Sequence, residues 1–445
     1  MTARLPLGTV SLRNMPTWTN WAGLATAHPT QELSPHDSGE VVDAVIAARR
    51  QNLKVKMPGT GHSFTEIAVT DGLLLRPGSL RGIVAVDRDA MTVTALAGTA
   101  LNELNTALDR LGLSLRNMGD IDEQTLAGAI STGTHGTGGQ VSSLSAQVAG
   151  LEMVTGDGTL LRADSGENAD VLDVARIGLG ALGILTSVKL RVEPLFVLEA
   201  HESPMRWDQA MDEFDALVAD NHHFEMYWFP HTDRLLTKRN NRTLDDAEPL
   251  SRFRAWHDDE FLANRAFGWV NRLGNARPGL IPRINSLSAR ALSERRYSDV
   301  AHNVFTSRRG VVFREMEYAV PRAAGLQALR DVRALLDRSD WRISFPIEVR
   351  VSPADDIPLS TAHDRDSIYL AVHTNPQTDH RGYFRAVEAI LRAYDGRPHW
   401  AKLHTRTAQD LAPTYPRWQD FQAMRDRLDP DRLFTNPYLD RVLGP

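Results

Sequence analysis

The sequence predicts an α+β protein with more than one domain, and three observations carry that reading. Its 445 residues exceed what one ordinary hydrophobic core organises. The first 195 alternate short strand and helix patterns without a regular βαβ series, which argues against a doubly wound parallel sheet. From 196 to 395 the pattern becomes that of an antiparallel sheet covered by helices. The expected division is 1–195, 196–395 and a C-terminal segment, 396–445.

The elements follow in order. Asp37 and Ser38 are N-cap candidates for a helix over 37–50, with Val41, Val42, Val45 and Ile46 as its apolar stripe. Strands are expected at 54–57, 73–76, 80–87 and 91–97, then a helix through Leu101, Leu104, Leu108 and Leu111. Gly156-Asp157-Gly158 separates Val148–Thr155 from Thr159–Arg162, a hairpin signal. A strand at Ile184–Val192 closes the first region before Pro194. In the second, Trp207, Met211, Phe214, Leu217 and Val218 mark a helix, followed by an aromatic strand at Phe224–Phe229. Residues 240–310 are polar and Arg-rich and read as a helical or loop excursion. Strands at 311–320, 345–351 and 367–373 then alternate with helices at 322–338 and 381–394. The last fifty residues hold a Tyr415-Pro416 turn and a short terminal helix.

Composition narrows the function classes. A net charge of −6, with the pairs Arg295-Arg296 and Arg308-Arg309 but no basic patch, gives no general attraction to nucleic acid or anionic membrane. With no cysteine there is no disulfide, no thiolate metal site and no cysteinyl cofactor link. Residues 1–20 lack an apolar run behind a basic start, so no signal peptide is expected. No window approaches the about 18 apolar residues of a spanning helix. A cytoplasmic protein is the default expectation. A zinc hydrolase finds little support among the 15 histidines, because His222-His223 are adjacent rather than at i, i+4 and no HxH or HxxxH set accompanies them.

Two glycine-rich stretches carry the chemistry. Pro58-Gly59-Thr60-Gly61-His62-Ser63 follows a strand pattern, and Ser131-Thr132-Gly133-Thr134-His135-Gly136-Thr137-Gly138-Gly139 follows the small-residue segment Leu126–Ile130. Glycines let backbone N–H groups face a polyanion, and hydroxyls add donors. Two such loops in one mixed α+β region point to a dinucleotide. The GxGxxG fingerprint is incomplete, and no phosphate-loop Lys–Ser/Thr pair is present, so neither a Rossmann site nor nucleotide hydrolysis is expected. A histidine in the first loop is not explained by phosphate binding.

Four motifs in order give that histidine a context: Pro58–Ser63, Asn117-Met118-Gly119-Asp120 through Gly136, Gly180-Ala181-Leu182-Gly183-Ile184, and Arg397-Pro398-His399-Trp400-Ala401-Lys402. Together they resemble the aldonolactone oxidoreductases, FAD enzymes of the vanillyl-alcohol-oxidase fold that include gulonolactone, arabinonolactone and alditol oxidases. The resemblance spans nearly the whole chain and is weakest over 235–310. It implies a two-subdomain FAD-binding domain, a cap domain over the flavin, and a C-terminal segment that completes the active site. It implies FAD joined covalently to His62, and cofactor contacts from Pro58, Gly59, Thr60, Gly61, Ser63, Gly119, Asp120, Thr125, Gly128, Thr132, Gly133, Thr134, His135 and Ile184. For His135 a turn or capping role stands beside the cofactor role. Gly119 falls where the family's chain passes the flavin, and a missing side chain there leaves room for dioxygen.

The substrate side rests on two further stretches. In Phe345–Val351 strand alternation puts Ile347, Val349 and Val351 on one face and Glu348 and Arg350 on the other. A carboxylate beside a guanidinium suits a polyhydroxylated ligand, while an ion pair on a solvated face is the plain alternative. His399–His404 also reads as a strand, with Trp400, Lys402 and His404 sharing a face. The resemblance implies that Glu348, Arg350, Lys402 and His373 contact the substrate. The expected reaction is hydride transfer from a carbinol to FAD, with Arg350 stabilising the oxygen, Glu348 orienting the polyol, and Lys402 accepting the proton once burial and Arg350 lower its pKa. Oxygen or another acceptor then takes the electrons. Asp120 and Ala401 favour a gulono-, galactono- or arabinono-1,4-lactone over an alditol. A carbohydrate-binding protein without active flavin is the rival from another class.

Overall fold

The structure is a computed structural model that describes residues 17–138, 142–251, 277–307 and 310–445. Gly139, the Arg308-Arg309 pair and much of the 240–310 stretch lie outside the described residues.

The N-terminal half builds two sheets around a shared apolar interior. Gln31–Leu33, Leu73–Leu75 and Val55–Lys56 form a three-stranded parallel sheet with Leu73–Leu75 in the middle. The helix Ser38–Arg50 connects its outer strands, and Asp37 caps it by accepting the Glu40 N–H. Val41, Val45, Val55, Leu73 and Leu75 close into one core there. A five-stranded antiparallel sheet follows, in the order Leu160–Asp164, Val148–Val154, Ile184–Arg191, Thr92–Leu96, Ile83–Asp87. The hairpin across Gly156–Gly158 is as the turn signal predicts, with Gly158 at φ +87°.

The second half centres on one eight-stranded antiparallel sheet. Its order is Arg295–Val300, Val197–Arg206, Arg234–Thr243, His223–Trp228, Ile347–Ser352, Ser367–Thr374, Arg314–Pro321, Arg397–Pro398. The helices Trp207–Ala219, Arg322–Arg338 and Arg381–Ala393 bury one face of it, where Met226, Val349, Leu370 and Tyr318 lie across from one another. Two expectations need correction. The stretch 240–310 holds a helix, Ile281–Ala291, as expected, but the sheet strand Arg234–Thr243 runs into it and Arg295–Val300 is a sheet strand rather than part of an excursion. They lie at the sheet's polar end, where ion pairs such as Arg295–Glu202 replace apolar alternation. His399–His404 is not a strand, because pairing ends at Pro398 and the chain turns.

That turn joins the two halves. Arg397–Pro398 pairs with Tyr318–Ala319, whereas Trp400 sinks into the N-terminal core beside Tyr415. Its indole donates to Leu359 O at 2.8 Å, and the Phe64 N–H donates to Ala401 O at 2.7 Å. Helices Trp418–Leu428 and Pro437–Leu443 complete the same core.

Candidate active site

The two glycine-rich loops meet. They line one groove, with Pro58–Ser63 facing Ser131 and Thr132, and a Cβ on Gly59 would stand 2.2 Å from Oγ1 of Thr125, the N-cap of the helix Leu126–Ser131 that leads into the second loop. Gly61 holds φ +79°, a conformation that favours glycine. Between the loops runs a groove lined by Lys56, Pro58–Ser63, Thr125, Gly128, Thr132, Gly180, Gly183 and Ile184, among others. Bare backbone at five glycines, hydroxyls on three threonines and one buried lysine suit an extended, phosphate-bearing cofactor. Burial pushes the Lys56 ammonium down to about 7, with Asp429 acting against the shift.

A second cavity, of about 360 Å³, opens at the end of this groove. It is lined by Gly119, Asp120, Glu123, Thr134, His135, Glu315, Glu317, Glu348, Arg350, His373, His399 and Lys402, with Trp21, Phe64 and Phe313 as aromatic wall. His62 lines both spaces. Its Nδ1 lies 2.9 Å from the Thr60 hydroxyl, and Trp21 stacks on its ring at 5.9 Å. Burial lowers the His62 pKa, Glu123 opposes this and Lys402 adds to it, so the ring is a neutral imidazole at pH 7.

Strand alternation builds the cavity wall. On neighbouring strands Tyr227, Glu348, Ala371 and Glu317 form one rung, and His373 and Glu315 form another. Glu225, Arg350 and Tyr369 make a third. Ala371 sits between two glutamates, and its small side chain leaves the space above them open. Ile347, Val349 and Val351 face the apolar core, as alternation predicts. Glu348 and Arg350 are only 5% and 7% exposed, so the solvated-face reading of this pair is excluded.

The charges are tightly paired. Arg350 bonds Glu348 Oε1 at 2.5 Å, Glu225 Oε2 at 3.0 Å and Asp120 Oδ2 at 3.2 Å. Burial opposes its charge, yet Glu348, Asp120 and Glu225 hold its pKa well above the ordinary arginine value. Lys402 donates from Nζ to Glu315 Oε2. Burial would lower its pKa, but Glu315 and Glu317 outweigh that and raise it. The expectation of a lowered Lys402 pKa is therefore overturned: the carboxylate in contact outweighs burial. Glu315 itself is held at about 2, because Lys402 and His373 outweigh burial. His135 Nε2 lies 3.0 Å from Glu317 Oε1, while its Nδ1 lies 2.9 Å from Gly136 O and its ring stacks on Tyr369. Burial drives His399 down to about 3 despite Glu317.

The predicted residues divide between the two spaces. Pro58–Ser63, Thr125, Gly128, Thr132 and Ile184 lie in the groove, whereas Gly119, Asp120, Thr134 and His135 lie in the cavity with Glu348, Arg350, His373 and Lys402. Gly133 lines neither, and its missing Cβ faces Ile177 Cδ1 at 3.2 Å. Sequence reading missed Glu315, Glu317, Glu225 and His399. The first two carried a usable signal, since Glu315 and Glu317 alternate with Met316 and Tyr318 just as Glu348 and Arg350 alternate with their apolar neighbours. Sequence spacing also offered no metal-like group. The fold nevertheless brings ligand-type atoms of His135, Glu317 and His399, and of Glu315, Glu348 and His373, within 4.8 Å of one another.

A cofactor groove opening past His62 and Gln124 onto a buried polar cavity defines a flavin-dependent oxidoreductase. An FAD-binding domain matches residues 29–164, and D-arabinono-1,4-lactone oxidase matches 188–442. The chain is 40% identical over 430 residues to an L-gulono-1,4-lactone dehydrogenase of Mycobacterium tuberculosis, covering 97% of this chain and 100% of that one. It is 32% identical over 433 residues to an L-gulonolactone oxidase of Bos taurus, covering 95% and 97%. Among solved structures, cholesterol oxidase from B. sterolicum superposes with a TM-score of 0.83 at 20% identity, covering 100% of both chains, which establishes the shared fold. The chain belongs to the D-arabinono-1,4-lactone oxidase family and is an FAD-dependent oxidoreductase. Among the described residues no helix is long and apolar enough to cross a membrane.

Proposed function

We propose that the protein oxidises a carbinol of a gulono-, galactono- or arabinono-1,4-lactone to the 2-keto lactone, with FAD attached through His62. One observation carries this reading: His62, with Gln124 beside it, lines both the glycine-rich groove and the acidic cavity, so cofactor and substrate spaces meet at this histidine. Bound FAD supplies the hydride acceptor, and oxygen or another acceptor takes the electrons onward. A neutral His62 has a nucleophilic nitrogen available for the covalent link.

The other residues orient the ligand and handle charge. Arg350 is fixed by three carboxylates before any ligand arrives, so its position costs no reorganisation during reaction. Lys402 acts as an ammonium that donates to the carbinol oxygen as negative charge develops there. The departing proton goes to the imidazole of His373, whose Nδ1 faces Pro346 O at 3.2 Å and whose Nε2 lies beside Glu315 at the cavity wall. Glu317 and His135 complete the hydroxyl-binding wall.

The test is twofold. The purified protein should be yellow and keep its colour in the acid-precipitated pellet, with the flavin peptide mapping to His62. L-gulono-1,4-lactone should turn over faster than xylitol. A colourless protein would sink the flavoenzyme role, and faster xylitol turnover would move the substrate to alditols.

A further inference from the structure

Five carboxylates line the cavity, Asp120, Glu123, Glu315, Glu317 and Glu348, and a sixth, Glu225, bonds Arg350. Against them stand three permanent cations, Arg350, Lys402 and, 3.9 Å from Glu225, Lys238, each already paired to carboxylates. His62 and His399 stay neutral through burial. Counting His135 and His373 as cations as well still leaves the balance negative. No cation is held in reserve for an incoming anion.

We propose that this cavity is a charge filter, which binds neutral polyhydroxylated molecules and rejects anions of the same size. The filter itself follows from the side chains present, and its application to the product rests on the lactone reading above. Oxidation of the carbinol beside the lactone carbonyl removes a hydride and a proton and leaves a ketone. The 2-keto lactone enolises to an ene-diol conjugated with the carbonyl, an acidic group. Loss of its proton to solvent creates an anion inside a cavity with surplus negative charge. Product ionisation thereby drives product release. The aldonate formed when the lactone ring hydrolyses is rejected on the same ground, so a partly hydrolysed substrate pool does not inhibit.

Four probes separate charge from shape: L-gulono-1,4-lactone (neutral ring), xylitol (neutral chain), ascorbate (anionic ring) and L-gulonate (anionic chain). Binding to the holoenzyme is read at pH 7 from perturbation of the flavin absorption under anaerobic conditions, in mixtures with each competitor. The two neutral probes should bind and the two anions should not. Pairing by shape, rings against chains, would overturn the filter. If the lactone alone among the neutral probes fails to bind, the lactone reading falls, while xylitol against L-gulonate still tests the filter. Glu123→Gln should tighten ascorbate relative to xylitol by about tenfold or more, the effect of one unit charge across roughly 12 Å at an effective dielectric of ~20. An unchanged ratio in that variant would also overturn the proposal.

Discussion

Lys402 donates from Nζ to Glu315 Oε2 at the cavity wall, and Glu315 Oε1 in turn lies 3.5 Å from His373 Nε2. The lysine is therefore an ammonium whose charge is balanced before a ligand enters. Lys402→Met removes the donor to the developing oxygen charge without touching the cofactor groove. Anaerobic flavin reduction by substrate should slow by about 100-fold or more, with FAD content unchanged. Stopped-flow absorbance at the flavin band reads the rate, and an unchanged rate removes Lys402 from the mechanism.

Arg350 poses a different risk, since it bonds three carboxylates at once. Arg350→Met strands Asp120, Glu225 and Glu348 in a buried site and should cost about 3–5 kcal/mol of stability as well as activity. Arg350→Lys should not rescue the activity, because an ammonium cannot fork across three partners. Urea unfolding of both variants checks the first statement and lactone turnover the second.

His62→Ala should abolish the covalent link, leaving a colourless acid-precipitated pellet while the glycine loops still bind FAD reversibly. A yellow pellet from this variant would place the attachment elsewhere.

Gly119 lines the cavity, and a Cβ there would stand 3.0 Å from Thr134 Cγ2 and 3.3 Å from His135 O. Gly119→Ala should slow reoxidation by dioxygen several-fold while leaving anaerobic reduction near the wild-type rate. Reoxidation traces after mixing reduced enzyme with aerated buffer decide this.

Acid should destabilise the fold earlier than carboxylates alone would require. Burial lowers His223 to about 4 and His399 and His404 to about 3, from an ordinary 6.5. Below pH 6.5 the unfolded chain takes up protons that the folded chain refuses, so stability falls with falling pH down to the folded values. Three such groups give a slope of up to about 4 kcal/mol per pH unit. Glu315 adds to this below 4.5, since its folded pKa is about 2 and its stabilisation disappears as pH falls through that range. Urea midpoints between pH 7 and 4 should show the loss beginning near 6.5.

Apolar periodicity made much of this legible. The helix Arg322–Arg338 and the strand Ile347–Ser352 follow their patterns because each turns its apolar residues to one side, although the strand is buried on both. Arg234–Thr243 and Arg295–Val300 gave no such signal, as they sit where the sheet is held by polar pairs. His399–His404 alternates like a strand, yet the Trp400 indole is claimed by Leu359 O in the other core and the ladder stops. Glu348 and Arg350 were readable as a same-face pair, but Glu225, its partner 125 residues away in sequence, was not. Pairing across strands is a property of register, which no single stretch contains.

The short run from Arg397 to Lys402 stitches a sheet edge, a foreign core and the reactive cavity together within six residues. For protein engineers this forbids treating the two halves as interchangeable cassettes. A chimera that takes its sheet from one relative and its N-terminal core from another must carry matched partners for Trp400, or Lys402 will be misaimed. Grafts that keep Leu359, Tyr415 and Tyr438, whose hydroxyl donates to Trp400 O at 3.0 Å, with this run are the ones to build first.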